Sequence, residues 1–243
     1  FTFQVAILTM ISFGFSRLRD LFNTVGGLGA GLVVGLGSLP VEAAQCAPEA
    51  PPQVVVHVDA GATTLDHTLT PAEIGVVRGK LAGGAALVPH LQTVGLTVAE
   101  FRLRKATQGK MVPAGPGKWC VQVTRIDLHI GFTNQTIYIP RTYQPGSCEY
   151  NAVHAHETAH VNDNLAVLDG FTQAIKDKAE RDALTINPIM VSSRKEARER
   201  PLEIVAQGLA PLITDLHAAQ AARAAQRDAP AEYAAVSRQC RNW

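Results

Sequence analysis

The stretch His156-Glu157-Thr158-Ala159-His160 has the pattern H-E-x-x-H, and the rest of the fold is interpreted around it. On a helix, residues four positions apart lie on one face, so the two imidazoles can bind the same metal ion. Glu157 lies beside them, where its carboxylate can take a proton from a metal-bound water. Two core histidines with satisfied hydrogen bonds are the alternative, but the intervening glutamate favours zinc. The pattern predicts one Zn2+ ion on His156 and His160, with Glu157 as the catalytic base.

The residues around this motif are typical of a helix from Ser147 to about Lys178. The segment contains no proline, and Gly170 is its only glycine. Ser147 is a suitable N-cap, and Glu149 places an acid in the first turn, where the helix dipole favours it. The two histidines share a stripe of helical period with apolar residues, which predicts that they face inward. The stripe consists of Val153, His156, His160, Val167, Phe171 and Ile175.

The segment 150–160 resembles the core of the predicted secreted zinc-dependent proteases of bacteria. Upstream, residues 119–123 and 137–140 are similar to the strand pair that leads into the helix in that family. The resemblance covers about 118–178, and family members often have glycine where this chain has Ala159. It implies a zincin-like metallopeptidase domain that acts on a peptide or protein substrate with a single zinc ion.

The composition is that of an ordinary globular domain. The chain has 243 residues, of which 47% are hydrophobic and 18% charged, with a formal net charge of +1. This balance is enough for one hydrophobic core. Basic runs are short, and one of them, Arg102-Leu103-Arg104-Lys105, is interpreted as a solvated strand end. Nucleic acid is therefore not an expected partner.

The first part of the chain has the organisation of a secretory signal peptide. Arg17 and Arg19 precede an apolar run over 25–39, and small residues over 41–45 provide a cleavage site. A retained membrane anchor is the alternative, but the apolar run is rich in glycine and shorter than a usual span.

We therefore expect a signal peptide over residues 1–44, with Met10 as a candidate start of translation, and a single mature domain over 45–243. The mature chain would be exported to the periplasm or secreted, without a stable membrane span after cleavage.

All four cysteines, Cys46, Cys120, Cys148 and Cys240, follow the expected cleavage site. An even number in an exported chain predicts two disulfides, with three possible connectivities. No pair has C-x-x-C spacing, so a zinc site made of cysteines is not expected. A hairpin with its turn near 133–134 would bring Cys120 and Cys148 together, which leaves Cys46–Cys240 as the second pair.

The remaining pattern predicts an α+β fold in which a small antiparallel sheet packs with the H-E-x-x-H helix and with further C-terminal helices. A phase slip near Arg125 suggests a β-bulge. Strands are expected over 53–58, 93–105, 119–130 and 136–140, a turn over 132–135, and helices from Thr70 to Leu81 and from Pro201 to Arg227.

The third zinc ligand is not identified by the motif, because the chain does not continue as H-x-x-G-x-x-H. Asp163 lies one turn beyond His160, but its Cα is about 10 Å from that of His156 on a straight helix, which disfavours it. A glutamate from the later helix is preferred, with a flanking histidine as another possibility. The candidates are Glu199, Glu203, Glu196, His217 and Asp163.

The sequence thus predicts an exported zinc metallopeptidase. The predicted strand 136–139 is a candidate edge for an added peptide strand. Two alternatives stay open: an exported zinc-binding module without turnover, and a metal-free protein that contacts a partner through the helix over 202–227.

Overall fold

The computed structural model describes residues 46–47, 50–81, 94–241 and 243. The predicted signal peptide over 1–44 lies outside these residues. Within them the chain forms a mixed sheet of five strands and four helices. They are β1 (Gln53–Asp59), β2 (Ala62–Asp66), α1 (Pro71–Leu81), β3 (Leu96–Pro113), β4 (Trp119–Tyr138), α2 (Cys148–Thr185), β5 (Ile189–Val191), α3 (Arg194–Arg227) and α4 (Pro230–Ser237).

The long strand β4 is the centre of the sheet. Strand β3 pairs with it in antiparallel orientation, and β1, β2 and β5 also pair with it. Both β1 and β2 run parallel to β4, whereas β5 is antiparallel. The mixture of helix and strand was predicted correctly, but the prediction of an antiparallel sheet was wrong. The alternation of apolar and polar residues identifies a strand with one buried face, but it does not indicate the direction of a distant partner strand.

The turn predicted at residues 132–135 is also wrong, because β4 continues through them. Phe132 pairs with Phe101 and Asn134 with Glu100, so the irregularity at Thr133 is a shift of register within the strand. Residues 136–138 are flanked by β2 and β3, and this stretch is therefore not a sheet edge.

The actual hairpin connects β3 and β4 through residues 114–118, within the loop that is rich in proline and glycine. Gly115 and Gly117 adopt positive φ angles there, which glycine tolerates without steric cost. The bulge expected near Arg125 is confirmed. Arg125 pairs with Gln108 and Val123 with Gly109, which leaves one extra residue on β4 between them.

The disulfides join Cys46 to Cys120 and Cys148 to Cys240, so the predicted pairing was wrong. Cys120 lies at the start of β4, and the strand continues to Tyr138 before the chain reaches Cys148. A strand of that length spans up to ~60 Å, so a bond between these two cysteines is not possible in this fold. Two disulfides indicate folding in an oxidising compartment.

Helices α2 and α3 form an antiparallel pair that packs on the sheet. Ser147 caps α2 as predicted, and its hydroxyl accepts a hydrogen bond from the Tyr150 amide at 3.1 Å. Helix α3 begins at Arg194 and not at Pro201, because Ser193 caps it by accepting from the Glu196 amide at 3.1 Å. The shared core includes Ile126, Leu128, Ile130 and Phe132 of β4, Leu168 and Ile175 of α2, and Val205, Leu209 and Leu216 of α3.

In the part of the chain that the structure describes, every helix is too short or too polar to cross a membrane.

Gly131 provides a test of the sheet, because it faces the backbone of Asp59 in the neighbouring strand. A Cβ atom at Gly131 would lie 1.9 Å from the Asp59 carbonyl oxygen, and the φ of +145° is unfavourable for other residues. We expect Gly131→Ala to lower the free energy of unfolding by about 2–4 kcal/mol, measured by urea denaturation.

Gly170→Ala is the matched control, since no atom lies within 4 Å of the added Cβ on this exposed helical position. It should raise the free energy of unfolding by up to about 1 kcal/mol. Equal effects of the two substitutions would contradict the close approach of β1 and β4.

Candidate metal centre

Helix α2 brings His156 and His160 together on one face. Their Nε2 atoms are 3.2 Å apart, and the two rings stand nearly perpendicular, at 82°. The side chain of His156 is 8% exposed and that of His160 is fully buried. Both imidazoles therefore direct the same ring nitrogen into one small, water-poor space.

The third side chain in this space is Asp228, which caps the C-terminal end of α3. Its Oδ1 atom lies 3.2 Å from Nε2 of His156 and 2.9 Å from Nε2 of His160. The carboxylate is 6% exposed. Burial acts to raise the pKa of Asp228, but hydrogen bonds from His156 and His160 outweigh this effect and hold it below its ordinary value.

Hydrogen bonds can account for two of the three contacts of this triangle. In the direction of its neighbours, each Nε2 carries either a hydrogen atom or a lone pair. If both imidazoles donate to Oδ1 of Asp228, the contact between His156 and His160 contains no hydrogen bond. If one imidazole accepts from the other, its lone pair opposes the carboxylate oxygen. A shared cation would accept a lone pair from all three atoms at once.

The separations also suit such an ion. A tetrahedral ion with metal–nitrogen distances of about 2.0–2.1 Å has neighbouring ligand atoms roughly 3.3–3.4 Å apart. The three contacts here are 2.9, 3.2 and 3.2 Å. His156, His160 and Asp228 therefore form a group that could hold a metal ion, and no other such group occurs in the described ranges.

Glu157 lies beside this group but faces strand β3. Its Oε2 atom accepts a hydrogen bond from the Thr97 hydroxyl at 2.8 Å, and its Oε1 atom has no partner among the described residues. The glycine at position 95 makes room for the Glu157 side chain, because a Cβ atom at Gly95 would lie 2.5 Å from Oε1 of Glu157. Burial raises the pKa of the Glu157 carboxyl, although the charges of His160 and His156 act in the opposite direction.

The three glutamates considered as third ligands are at the wrong end of α3. Glu196 accepts hydrogen bonds from Ser192 at the helix start, while Glu199 and Glu203 form exposed ion pairs along the helix. At 1.5 Å per residue they lie about 40–50 Å from Asp228 along the helix axis. None of them can reach the two histidines.

His217 and Asp163 are also engaged elsewhere. His217 packs edge-on against Phe101, with ring centroids 5.0 Å apart, and its Nδ1 atom contacts Gln220 at 3.1 Å. Asp163 accepts a hydrogen bond from Arg227 at 2.5 Å. This ion pair connects α2 to the end of α3, and so it helps to place the adjacent Asp228 over the histidines.

No protein-family model, curated protein or solved structure matches this chain. The resemblance of residues 118–178 to secreted zinc-dependent proteases therefore stays an expectation.

A polar pocket of about 230 Å³ lies next to the centre in sequence and is open to solvent. Asp163 lies one turn after His160 on α2, and Arg227 directly precedes Asp228. Glu232 lies on α4, directly before Tyr233. The pocket is lined by Asp163, Arg223, Gln226, Arg227 and Glu232.

The Cys148–Cys240 disulfide should support metal binding. It joins the first residue of α2 to the segment after α4, and so it closes the loop that carries Asp228. We expect the double substitution Cys148→Ser and Cys240→Ser to weaken Zn2+ binding on the order of ten-fold, measured by competition with a chelator.

The matched control is the double substitution Cys46→Ser and Cys120→Ser, which removes the disulfide at the start of β4. It should lower the free energy of unfolding but leave the Zn2+ affinity of the folded chain unchanged. Equal losses of affinity in the two variants would contradict a local role of Cys148–Cys240.

Proposed function

We propose that this chain is an exported zinc-dependent metallopeptidase. In this proposal His156, His160 and Asp228 hold one zinc ion, and Glu157 is the general base. The observation that carries the proposal is the convergence of His156 Nε2, His160 Nε2 and Asp228 Oδ1, each within 3.2 Å of the other two, next to a buried carboxylate with one unpartnered oxygen.

The number and type of the ligands support a catalytic ion. Structural zinc sites are usually closed by four protein ligands, whereas catalytic sites have three and keep one position for water or substrate. The described residues supply three, two nitrogens and one oxygen. The same donor set is also used for Fe(II), so the metal content has to be measured. The adjoining Glu157 favours zinc, since a base beside the ion is what hydrolysis requires.

When bound, the zinc ion supplies Lewis acidity that polarises the scissile carbonyl and acidifies the attacking water. Thr97 holds Oε2 of Glu157 by a hydrogen bond, which leaves Oε1 to handle the proton. Oε1 takes a proton from the water as the water oxygen attacks the carbonyl carbon. It then gives that proton to the amine nitrogen as the carbon–nitrogen bond breaks.

Other features support the choice of substrate and compartment. The resemblance of residues 118–178 to secreted proteases favours peptide bonds over other hydrolysable groups. The two disulfides agree with export to an oxidising compartment. The polar pocket beside the centre is where we expect the substrate to approach.

The burial of His160 and Glu157 favours one competing function, that of a zinc-binding module without turnover. A site that never admits a substrate has no need for solvent access. The two functions differ in whether the purified, zinc-loaded protein hydrolyses peptides.

The deciding substitution is Glu157→Gln, which keeps the shape of the side chain but removes its ability to take a proton. We expect hydrolysis of a casein or peptide-library substrate to fall by about 10²–10⁴-fold while one zinc per chain is retained. Zinc is measured by elemental analysis of the same samples.

His156→Ala serves as the comparison, because it should lose both zinc and hydrolysis. Wild-type protein that binds one zinc but cleaves no peptide would support the binding module. Undiminished hydrolysis by Glu157→Gln would refute the proposed mechanism.

A further inference from the structure

We infer that Tyr233 is a positioning residue of the metal centre, whose hydroxyl fixes Asp228 so that a single carboxylate oxygen faces the two imidazoles. This inference rests on the proposed function and adds a residue that lies outside the H-E-x-x-H helix.

Tyr233 is the one buried residue of helix α4. Helix α4 is only eight residues long, and the side chain of Tyr233 connects it to the metal centre. The residue is 5% exposed, and its hydroxyl donates a hydrogen bond to Oδ1 of Asp228 at 3.1 Å. Its ring also packs on His156, with centroids 5.4 Å apart. Tyr233 therefore contacts two of the three candidate ligands.

The hydrogen bond is made to the same oxygen that the imidazoles face. A carboxylate oxygen has two lone pairs. The phenol occupies one of those on Oδ1, and the other remains directed towards His156 and His160. Rotation of the carboxylate about its bond to Cβ would break the contact with the phenol. Tyr233 thus holds Asp228 in an orientation that binds an ion through one oxygen.

The phenol is itself held from several sides. Pro230 begins α4 directly after the helix break, and the Cys148–Cys240 disulfide fixes the segment that follows it. A hydroxyl held in this way can act as a fixed support for a metal ligand, and the loss of such a support typically costs a metal site about 10- to 100-fold in affinity.

The test compares Tyr233→Phe with wild type, using Zn2+ in competition with a chelator and Co2+ as a spectroscopic probe. We expect Zn2+ to bind about 10- to 100-fold more weakly. We also expect the visible absorption of bound Co2+ to weaken, because a carboxylate free to bind through both oxygens raises the coordination number.

Tyr150→Phe is the matched control. Its ring stacks on His154, on the same helix as the ligands, and both readouts should stay at the wild-type value.

A double-mutant cycle shows whether Tyr233 acts through Asp228. In an Asp228→Ala background, the further change Tyr233→Phe should alter the Zn2+ affinity by less than about two-fold, since the group that the hydroxyl positions is gone. An undiminished effect in this background would overturn the inference.

Three other outcomes are equally decisive. Wild-type affinity and an unchanged Co2+ spectrum in Tyr233→Phe would overturn the role of Tyr233 and leave the proposed function standing. A loss of the metal-free fold in Tyr233→Phe, measured by circular dichroism, would show a structural role and would also overturn the inference. A wild-type chain that binds neither ion would overturn both proposals.

Discussion

The candidate metal centre depends on the close approach of three atoms, which are Nε2 of His156, Nε2 of His160 and Oδ1 of Asp228. It exists because α2 and α3 run antiparallel, so that the end of one helix meets the first third of the other. Helix packing brings the three atoms together, and as a group they could hold a metal ion. The sheet beneath contributes Thr97, which orients the adjoining carboxylate of Glu157.

Features of the fold that depend on neighbouring residues followed from the sequence. Ser147 caps α2 as predicted, and the helix that was predicted from Thr70 begins there with reciprocal hydrogen bonds between Thr70 and Glu73, because a cap is decided within three residues. The direction of the sheet did not follow. Strand β1 pairs with residues 125–131, far along the chain, and nothing in its own residues distinguishes a parallel partner from an antiparallel one. The polar residues near Asn134 have the composition of a turn, yet they lie within a central strand because partners on both sides pair with them.

The candidate site divides in the same way. His156, Glu157 and His160 were identified from a spacing of four residues, whereas Asp228 is 68 residues beyond His160 and belongs to no motif. One signal could have found it. A helix hairpin folded at Asn187-Pro188 places the end of α3 beside the histidines, and this favours Asp228 over the glutamates at the helix start. The disulfide pairing was missed for the related reason that it depends on how long β4 is.

The separation of the ligands along the chain has a consequence for biogenesis. A nascent chain that has emerged only as far as α2 presents a pair of imidazoles and a nearby acid, without the carboxylate that completes the triangle. Such an intermediate has two ligands and should exchange ions readily. If the centre binds a metal ion, retention of that ion would require α3 to dock against α2, and the ion would be acquired late in maturation.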